Sequence, residues 1–215
     1  FCLIGKFVIA DGLDIFQDVL AYVVLLIALL LFHAAFTYSM FLKFIGGLNP
    51  LTFYRKMKDV ALFAFSTSSS AATIPVTLRT VNQDLGVNQN VASFVVPVGA
   101  TINMDGTAIM QGLATVFIAQ MSGIDLTLFQ YIQVVLLAVA TSIGTAAVPS
   151  AGTITLIIIL QQFNLPLEAI GIILAVDRVL DMIRTSVNVT GDAAIACIVA
   201  KTENQLDENI FNSKA

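Results

Sequence analysis

Apolar residues fill one segment of this chain for long enough to cross a lipid bilayer. Residues 19–45 contain only His33 and Lys43 as ionisable side chains, and a helix of that length covers the roughly 30 Å of a bilayer's hydrocarbon layer when tilted. The pattern therefore predicts a transmembrane helix over 19–45. Residues 1–18 are expected to hold the end of another transmembrane helix and a loop.

Two pairs of shorter apolar runs each flank a tip of small residues. The first pair covers 51–82 around a serine-rich tip, and the second covers 128–163 around a tip rich in glycine, alanine and serine. Because no run in either pair reaches spanning length, each pair predicts a re-entrant hairpin. Basic residues at the ends of the first hairpin indicate the cytoplasmic face. The second hairpin then enters from outside, which is the arrangement of an inverted repeat with a binding site at the midplane.

Two further apolar segments have polar residues at their centres. Segment 91–121 contains Asn103 and Asp105 among glycines, which predicts a helix broken at that point. Unwound carbonyls beside a carboxylate suit a hard cation, although a kinked helix whose polar groups bond to neighbours is the alternative. Segment 166–201 predicts a polar-faced helix, followed by a tail at 202–215. Together the two hairpins and two helices form an expected transport core over 46–215.

Charged residues of the last predicted helix fall on one stripe. At 100° per residue, Asp177, Arg184, Asn188 and Asp192 all lie within about 60° of Asp181 around the helix axis. A charged side chain at mid-membrane costs roughly 2.5 to 3.5 kcal/mol, so such groups must be paired, hydrated or bound to something charged. The stripe predicts the wall of a site for a charged solute and its counter-ions.

Composition places the chain among all-α integral membrane proteins. Its 215 residues are 58% hydrophobic and 11% charged, whereas soluble domains average roughly 25% charged. The net charge of −4 indicates no nucleic-acid partner. Cys2 and Cys197 lie too far apart for metal-ligand spacing. Because Phe1 already lies in an apolar run and is not an initiator methionine, we expect the chain to be truncated at its start.

The charges expected near the membrane centre do not cancel. A net charge of −2 results from these groups: Asp105, Asp177, Asp181, Asp192, Arg178 and Arg184. Monovalent cations would offset it. Arg184 could bind a carboxylate through two parallel hydrogen bonds, and Asp181 could accept from a substrate ammonium. Helix ends at the hairpin tips offer N–H groups to a second carboxylate. These groups fit an acidic amino acid; an Asp181–Arg184 ion pair without any ligand is the alternative.

Four motifs, in order along nearly the whole chain, resemble those of the dicarboxylate/amino acid:cation symporters. This family comprises the excitatory amino acid transporters and their prokaryotic glutamate and aspartate homologues. The motifs are the serine-rich tip with Pro75-Val76-Thr77, the core Asn103-Met104-Asp105-Gly106-Thr107, the tip Ser142-Ile143-Gly144-Thr145 with Val148-Pro149, and the helix from Asp181 to Asp192. The likeness is to the family's C-terminal half, which alone is not expected to transport.

The resemblance implies a function and a setting. A member would be a sodium-coupled symporter that imports L-glutamate or L-aspartate by an elevator-type alternating-access mechanism, and not an enzyme. It would be a homotrimer embedded in lipid, a multi-pass protein of the plasma or bacterial inner membrane. Two or three sodium ions would be co-transported, and no organic cofactor is implied.

The resemblance also implies site residues. Arg184 would hold the substrate's side-chain carboxylate and Asp181 its amino group. The full substrate set is Ser70, Thr107, Val148, Gly152, Asp181, Arg184, Thr185 and Asn188. One sodium ion would use the carbonyls of Gly99, Asn103 and Asn188 and the Asp192 carboxylate. A second would use the carbonyls of Thr101, Ser142, Ile143 and Thr145. A third would use the side chains of Asp105 and Asn103, with its remaining ligands on an earlier helix.

One departure from the family pattern concerns arginine. Archaeal members carry an arginine at the position of Ser68, and animal members carry one at the position of Met182. This chain has neither, but Arg178 lies four residues before Met182. We hypothesise that Arg178 supplies the equivalent positive charge.

Two other functions fit parts of the pattern. A symporter of the same fold could carry a C4-dicarboxylate, which has no ammonium for Asp181, or a neutral amino acid, which has no use for Arg184. An intramembrane serine hydrolase could use Ser69 or Ser70, but the sequence offers these serines no base.

Overall fold

The computed structural model describes residues 15–213, leaving out the side chain of Ile15. The predicted helix end and loop at 1–18 therefore lie outside the described residues except for the last four positions, and Cys2 lies outside them entirely. The described part is helical and contains no β-strand, so the all-α fold class is confirmed.

The described residues form ten α-helices. In chain order they are α1 (Ile15–Phe32), α2 (Ser39–Phe44), α3 (Pro50–Thr67), α4 (Ser70–Gln83), α5 (Gln89–Ile102), α6 (Asp105–Met121), α7 (Leu128–Ile143), α8 (Ala151–Gln162), α9 (Ile170–Thr202) and α10 (Glu208–Asn212). A π-helical segment, His33–Tyr38, joins α1 to α2, and a 3₁₀ turn, Leu167–Ala169, precedes α9. Helix α1, the π segment and α2 are continuous, and Phe16–Phe44 is long and apolar enough to cross a membrane.

Capping residues mark the start of α3 and the boundary between α3 and α4. Asn49 accepts a hydrogen bond from the Leu51 N–H at 2.9 Å and precedes Pro50 at the first position of α3, a pairing typical of helix starts. Ser68 adopts a left-handed conformation, with φ of 51°, and ends α3. Ser69 then caps α4 by accepting from Ala72. The chain reverses within two residues, so α3 and α4 pack against each other as a helical pair.

A second helical pair follows later in the chain. A capping box between Thr127 and Gln130 starts α7, and the segment between α7 and α8 returns the chain so that these helices pack together. Between the two pairs, the segment predicted to be broken divides at Asn103 and Met104, which have non-helical backbone angles and separate α5 from α6.

Helix α9 lies at the centre of the molecule. Its 33 residues contact α1 to α6, the π segment and α8. All five members of the predicted stripe are buried: Asp177, Asp181, Arg184, Asn188 and Asp192. Small residues on the same helix, such as Gly191 and Ala196, are buried as well, and they allow neighbouring helices to approach closely.

The C-terminal segment packs against the start of α3 and the end of α4, away from the first tip. The buried Lys56 ammonium donates to the carbonyls of Asp84 and Ile210 at 2.9 and 2.7 Å. The Asp207 N–H donates to the Gly86 carbonyl, and Phe211 is fully buried. These contacts attach the segment after α9 to the loop between α4 and α5.

The Gly86 position yields a testable prediction about this attachment. Gly86 has φ of +73°, and an added Cβ would lie 2.5 Å from the Asp207 carbonyl oxygen. Gly86→Ala should cost at least about 2 kcal/mol, because left-handed strain and a steric clash add together. The thermal unfolding midpoint of the purified protein measures the loss.

Gly123→Ala is the matched control for Gly86→Ala. Gly123 also has a positive φ, of +65°, but nothing lies within 4 Å of its added Cβ. It should therefore show only the backbone strain, about 1 kcal/mol. Equal shifts for the two variants would contradict a role for the contact with Asp207.

Candidate substrate and cation site

A buried arginine and two buried carboxylates form the charged centre of the molecule. The Arg184 side chain is only 2% exposed. Its Nη2 donates to Asp181 Oδ1 at 2.5 Å, and its Nη1 donates to Asp177 Oδ1 at 3.4 Å. All three residues come from α9, one or two turns apart. The ion pair that the sequence allowed as an alternative is therefore present, with Asp177 as an additional partner.

The tips of the two helical pairs meet beside this centre. The Ala147 carbonyl of the second tip accepts hydrogen bonds from the Ser69 hydroxyl at 2.9 Å and from the Ala71 N–H at 3.2 Å, both in the first tip. The Ser150 N–H of the second tip donates to Asp181 Oδ2 at 2.9 Å. Both carboxylate oxygens of Asp181 are thus engaged, one by Arg184 and one by the tip.

A small polar cavity lies between the tips and α9. Its lining includes all eight residues named from sequence as substrate contacts: Ser70, Thr107, Val148, Gly152, Asp181, Arg184, Thr185 and Asn188. Five further lining residues were not named as substrate contacts, although Thr145 was expected to bind a cation: Ser68, Met104, Thr145, Ala146 and Ala147. The enclosed space is about 20 Å³, which holds about one water molecule.

Residues beside the break between α5 and α6 form hydrogen bonds with α9. Asn188 Oδ1 accepts from the Gly106 N–H at 2.7 Å, and Asn188 Nδ2 donates to Thr107 Oγ1 at 3.4 Å. A Cβ on Gly106 would lie 3.0 Å from Arg184 Cγ and from Asn188 Oδ1. A methyl group at this position would require these neighbours to shift by a few tenths of an ångström.

Asp192 lies next to the same break. Its carboxylate is buried, and its Oδ1 accepts from Asn103 Nδ2 at 3.1 Å. A Cβ on Gly99 would lie 2.6 Å from that oxygen, so the backbone of α5 reaches the carboxylate. The structure therefore brings together Gly99, Asn103 and Asp192, three of the four residues expected at one cation site. Asn188, the fourth, is one turn away on α9.

Asp105 has different partners from the other acids. Its carboxylate is one-third exposed and contacts two groups of the π segment, the His33 imidazole at 3.1 Å and the Tyr38 hydroxyl at 3.0 Å. Asp105 and Asn103 flank the same break in the chain. Sequence reasoning anticipated neither aromatic partner.

The other expected cation ligands lie at the ends of two neighbouring helices. Thr101 is in the last turn of α5, and Ser142 and Ile143 end α7, which contacts α5. The Thr145 N–H donates to the Ser142 carbonyl at 3.0 Å. The Gly144 N–H also donates to this carbonyl, so both of its lone pairs have a backbone donor.

Gln111 is a buried polar residue that sequence reasoning missed. Its amide nitrogen donates to the Gly152 carbonyl and to Thr155 Oγ1 at 3.0 and 2.7 Å, and its Oε1 accepts from Thr141 at 2.8 Å. It thereby connects α6 to both helices of the second pair. An amide in the middle of an apolar segment was the available signal.

Two other sequence hypotheses can be compared with the geometry. Arg178 is exposed on α9 and is not among the residues that line the cavity, so its charge lies outside that space. The Ser69 hydroxyl caps α4 and donates to Ala147, while His33 contacts Asp105. No histidine therefore reaches the tip serines in the described residues, which leaves a serine hydrolase without a base.

Gly106 yields a testable prediction about the charged centre. Gly106→Ala should lower the free energy of unfolding by about 1 to 3 kcal/mol, because the new methyl group overpacks against Arg184 and Asn188. Gly112→Ala is the control on the same helix, since nothing lies within 4 Å of its added Cβ. Thermal unfolding of both variants measures the difference. An unaltered midpoint in Gly106→Ala would contradict the close packing.

Sequence comparisons show which known proteins this chain resembles. The family description "Sodium:dicarboxylate symporter family" matches residues 1–202. The chain is 42% identical over 201 residues to a Caenorhabditis elegans excitatory amino acid transporter, covering 93% of this chain and 40% of that protein. It is 40% identical over 215 residues to mouse excitatory amino acid transporter 3, covering all of this chain and 41% of the relative.

A human relative gives the same result. Human excitatory amino acid transporter 2 is 42% identical over 200 residues, covering 92% of this chain and 35% of the relative. The chain thus spans about two fifths of the length of the curated relatives it matches. The match over most of the chain and the identity of about 40% lead to one conclusion: this chain belongs to the sodium:dicarboxylate symporter family.

Proposed function

We propose that this chain forms the substrate-binding core of a sodium-coupled symporter that imports L-glutamate or L-aspartate. The observation that carries the proposal is the buried pair of Arg184 and Asp181 in a cavity beside the tips of the two helical pairs. A guanidinium and a carboxylate side by side match the carboxylate and ammonium of an acidic amino acid. The relatives named excitatory amino acid transporters support the same cargo.

The substrate would exchange partners with the resident ion pair. Arg184 Nη2 is now bonded to Asp181. On binding, the guanidinium would turn to the substrate's side-chain carboxylate, and Asp181 would accept from the amino group instead. Asp177 would keep its bond to Nη1, so the arginine would not be left unpaired in a dry site. Exchanging one carboxylate for another avoids most of the cost of breaking a buried ion pair.

The other cavity residues would complete the contacts. Polar groups of Ser70, Thr107, Thr185 and Asn188 surround the ion pair, and Val148 and Gly152 belong to the second tip. A Cβ on Gly152 would lie 2.8 Å from Thr107 Cγ2, so this position stays narrow. Space for the substrate would come from movement of Arg184 and of the second tip.

Sodium ions would offset the remaining negative charge. Among the buried groups of α9, the carboxylates of Asp177, Asp181 and Asp192 outnumber the single guanidinium of Arg184, which leaves an excess of negative charge in a medium of low dielectric constant. We propose that two or three cations are carried with the substrate and bind at the groups described above. One group is at Asp192, one is at the ends of α5 and α7, and one is at Asp105 and Asn103.

The membrane arrangement is also part of the proposal. The helices of the two pairs have between 12 and 18 residues, and a spanning helix needs about 20. We propose that each pair is a re-entrant hairpin of an inverted repeat and that the core moves as an elevator in a multi-pass cell-membrane protein. A homotrimeric assembly is proposed on the family resemblance alone.

A different cargo remains the second candidate. A C4-dicarboxylate would bind Arg184 but would give Asp181 no ammonium, and a neutral amino acid would leave Arg184 without a partner. Competition of labelled aspartate uptake by succinate and by serine separates these cargoes. Strong inhibition by either one would overturn the proposal for acidic amino acids.

Arg184 provides the main test of this proposal. In the full-length protein reconstituted in liposomes, Arg184→Ala should reduce the affinity for aspartate at least about a hundredfold, because a buried charge-assisted contact is lost. Arg184→Lys should be intermediate, since an ammonium keeps the charge but loses the two parallel bonds. Uptake driven by a sodium gradient measures both.

Arg178→Ala is the matched control on the same helix. It removes a guanidinium that is exposed and outside the cavity, so the affinity for aspartate should stay at the wild-type value. A change in turnover alone would support the hypothesis that the Arg178 charge matters for the transport cycle. Undiminished aspartate affinity in Arg184→Ala would reject the proposed substrate site.

A further inference from the structure

The π-helical segment gives two aromatic side chains a common direction. His33 and Tyr38 are five residues apart, which in an α-helix would place them about 140° from each other around the axis. The i to i+5 bonding of a π turn instead brings residues five apart onto one side of the helix. The two rings contact edge to face, with centroids 4.8 Å apart. Without this turn, both side chains could not reach the same atom.

That common atom is one oxygen of Asp105. The His33 Nε2 and the Tyr38 hydroxyl both lie within hydrogen-bond distance of Asp105 Oδ2, at 3.1 and 3.0 Å. Within residues 15–213, no protein group donates a hydrogen bond to Oδ1 of the same carboxylate. One oxygen is therefore held by the π segment and the other is available to a cation.

The Tyr38 hydroxyl also packs closely against α9. The hydroxyl lies 3.3 Å from the Val187 carbonyl. A Cβ on Gly191 would lie 2.5 Å from the Tyr38 oxygen and 2.7 Å from Asn103 Nδ2. Asn103 also donates to Asp192. Tyr38 therefore lies between the expected cation ligands at Asp105 and those at Asp192.

We propose that the segment His33–Tyr38 is the positioning element of the cation site at Asp105, and that Tyr38 is its principal positioning residue. The inference rests on the proposed function, which makes Asp105 a sodium ligand. A carboxylate held in one orientation before the cation arrives loses less freedom on binding. The Tyr38 hydroxyl supplies that orientation by donating its single proton to Asp105 Oδ2, the nearer of its two acceptors.

Tyr38→Phe tests the role of the hydroxyl with little change in shape. In the full-length protein, the sodium concentration for half-maximal thermal stabilisation should rise about tenfold, as is typical when a partner of a metal ligand is removed. Sodium-dependent uptake should shift in parallel. Aspartate affinity at saturating sodium should stay unchanged, because Tyr38 does not line the substrate cavity. His33→Gln should raise the sodium requirement as well.

Tyr54→Phe is the matched control. Its hydroxyl donates to the Ala34 carbonyl of the same π segment, but it is not a partner of Asp105. It should leave the sodium requirement unchanged. An equal shift in Tyr38→Phe and Tyr54→Phe would overturn the proposal, since general loosening of the segment would then explain both.

Asp105→Asn separates the inference from the proposed function. If it raises the sodium requirement while Tyr38→Phe and His33→Gln do not, Asp105 remains a cation ligand and the positioning role is rejected. If Asp105→Asn leaves the sodium requirement unchanged, the cation site at Asp105 is rejected, and the role of the π segment falls with it. A shift in Asp105→Asn, Tyr38→Phe and His33→Gln, with none in Tyr54→Phe, supports the proposal.

Discussion

Burial of the Arg184 guanidinium between two carboxylates is the constraint on which the rest of this structure depends. Taking these charges away from water costs several kcal/mol for each ion, and the cost is tolerable only if every charged group has a close partner. Asp177 and Asp181 supply the partners from the same helix. The Ser150 N–H occupies the second oxygen of Asp181. Removing the Arg184 guanidinium would leave both carboxylates without a cationic partner in a buried environment.

Close approach of the surrounding helices follows from that requirement. A buried charged centre must be covered on all sides, and backbone can cover it only where no Cβ intervenes. Gly106 lets α6 lie against Arg184, Gly152 lets the second tip lie against Thr107 of α6, and Gly99 lets α5 reach Asp192. The glycines of this chain are thus distributed around the acids of α9 as well as in turns.

Residue periodicity explains how much of the fold, and of the grouping of residues in the candidate site, could be predicted. Charges are rare enough in this chain that their spacing on one helix face indicated the buried side of α9. Turn-forming residues between short apolar runs indicated the two helical pairs, and Asn103 with Asp105 indicated the break between α5 and α6. These features depend on neighbours in sequence, so local rules suffice to find them.

The features that could not be predicted depend on tertiary contacts or on unusual hydrogen bonding. A π turn has no composition of its own, so the joint approach of His33 and Tyr38 to Asp105 left no signal beyond a lone histidine. The three bonds of Gln111 and the attachment of the C-terminal segment at Lys56 join residues far apart in sequence. Arg178 and Arg184 are the same residue type on the same helix, yet the Arg178 side chain is exposed and the Arg184 side chain is buried.

Two hydrogen bonds to the Ala147 carbonyl hold the two tips together. Because this one acceptor receives both the Ser69 hydroxyl and the Ala71 N–H, neither tip can withdraw without breaking two hydrogen bonds of about 1 kcal/mol each. Contact between the two tips is favoured by about that amount. Through these two bonds, separation of the tips is opposed by groups that carry no charge.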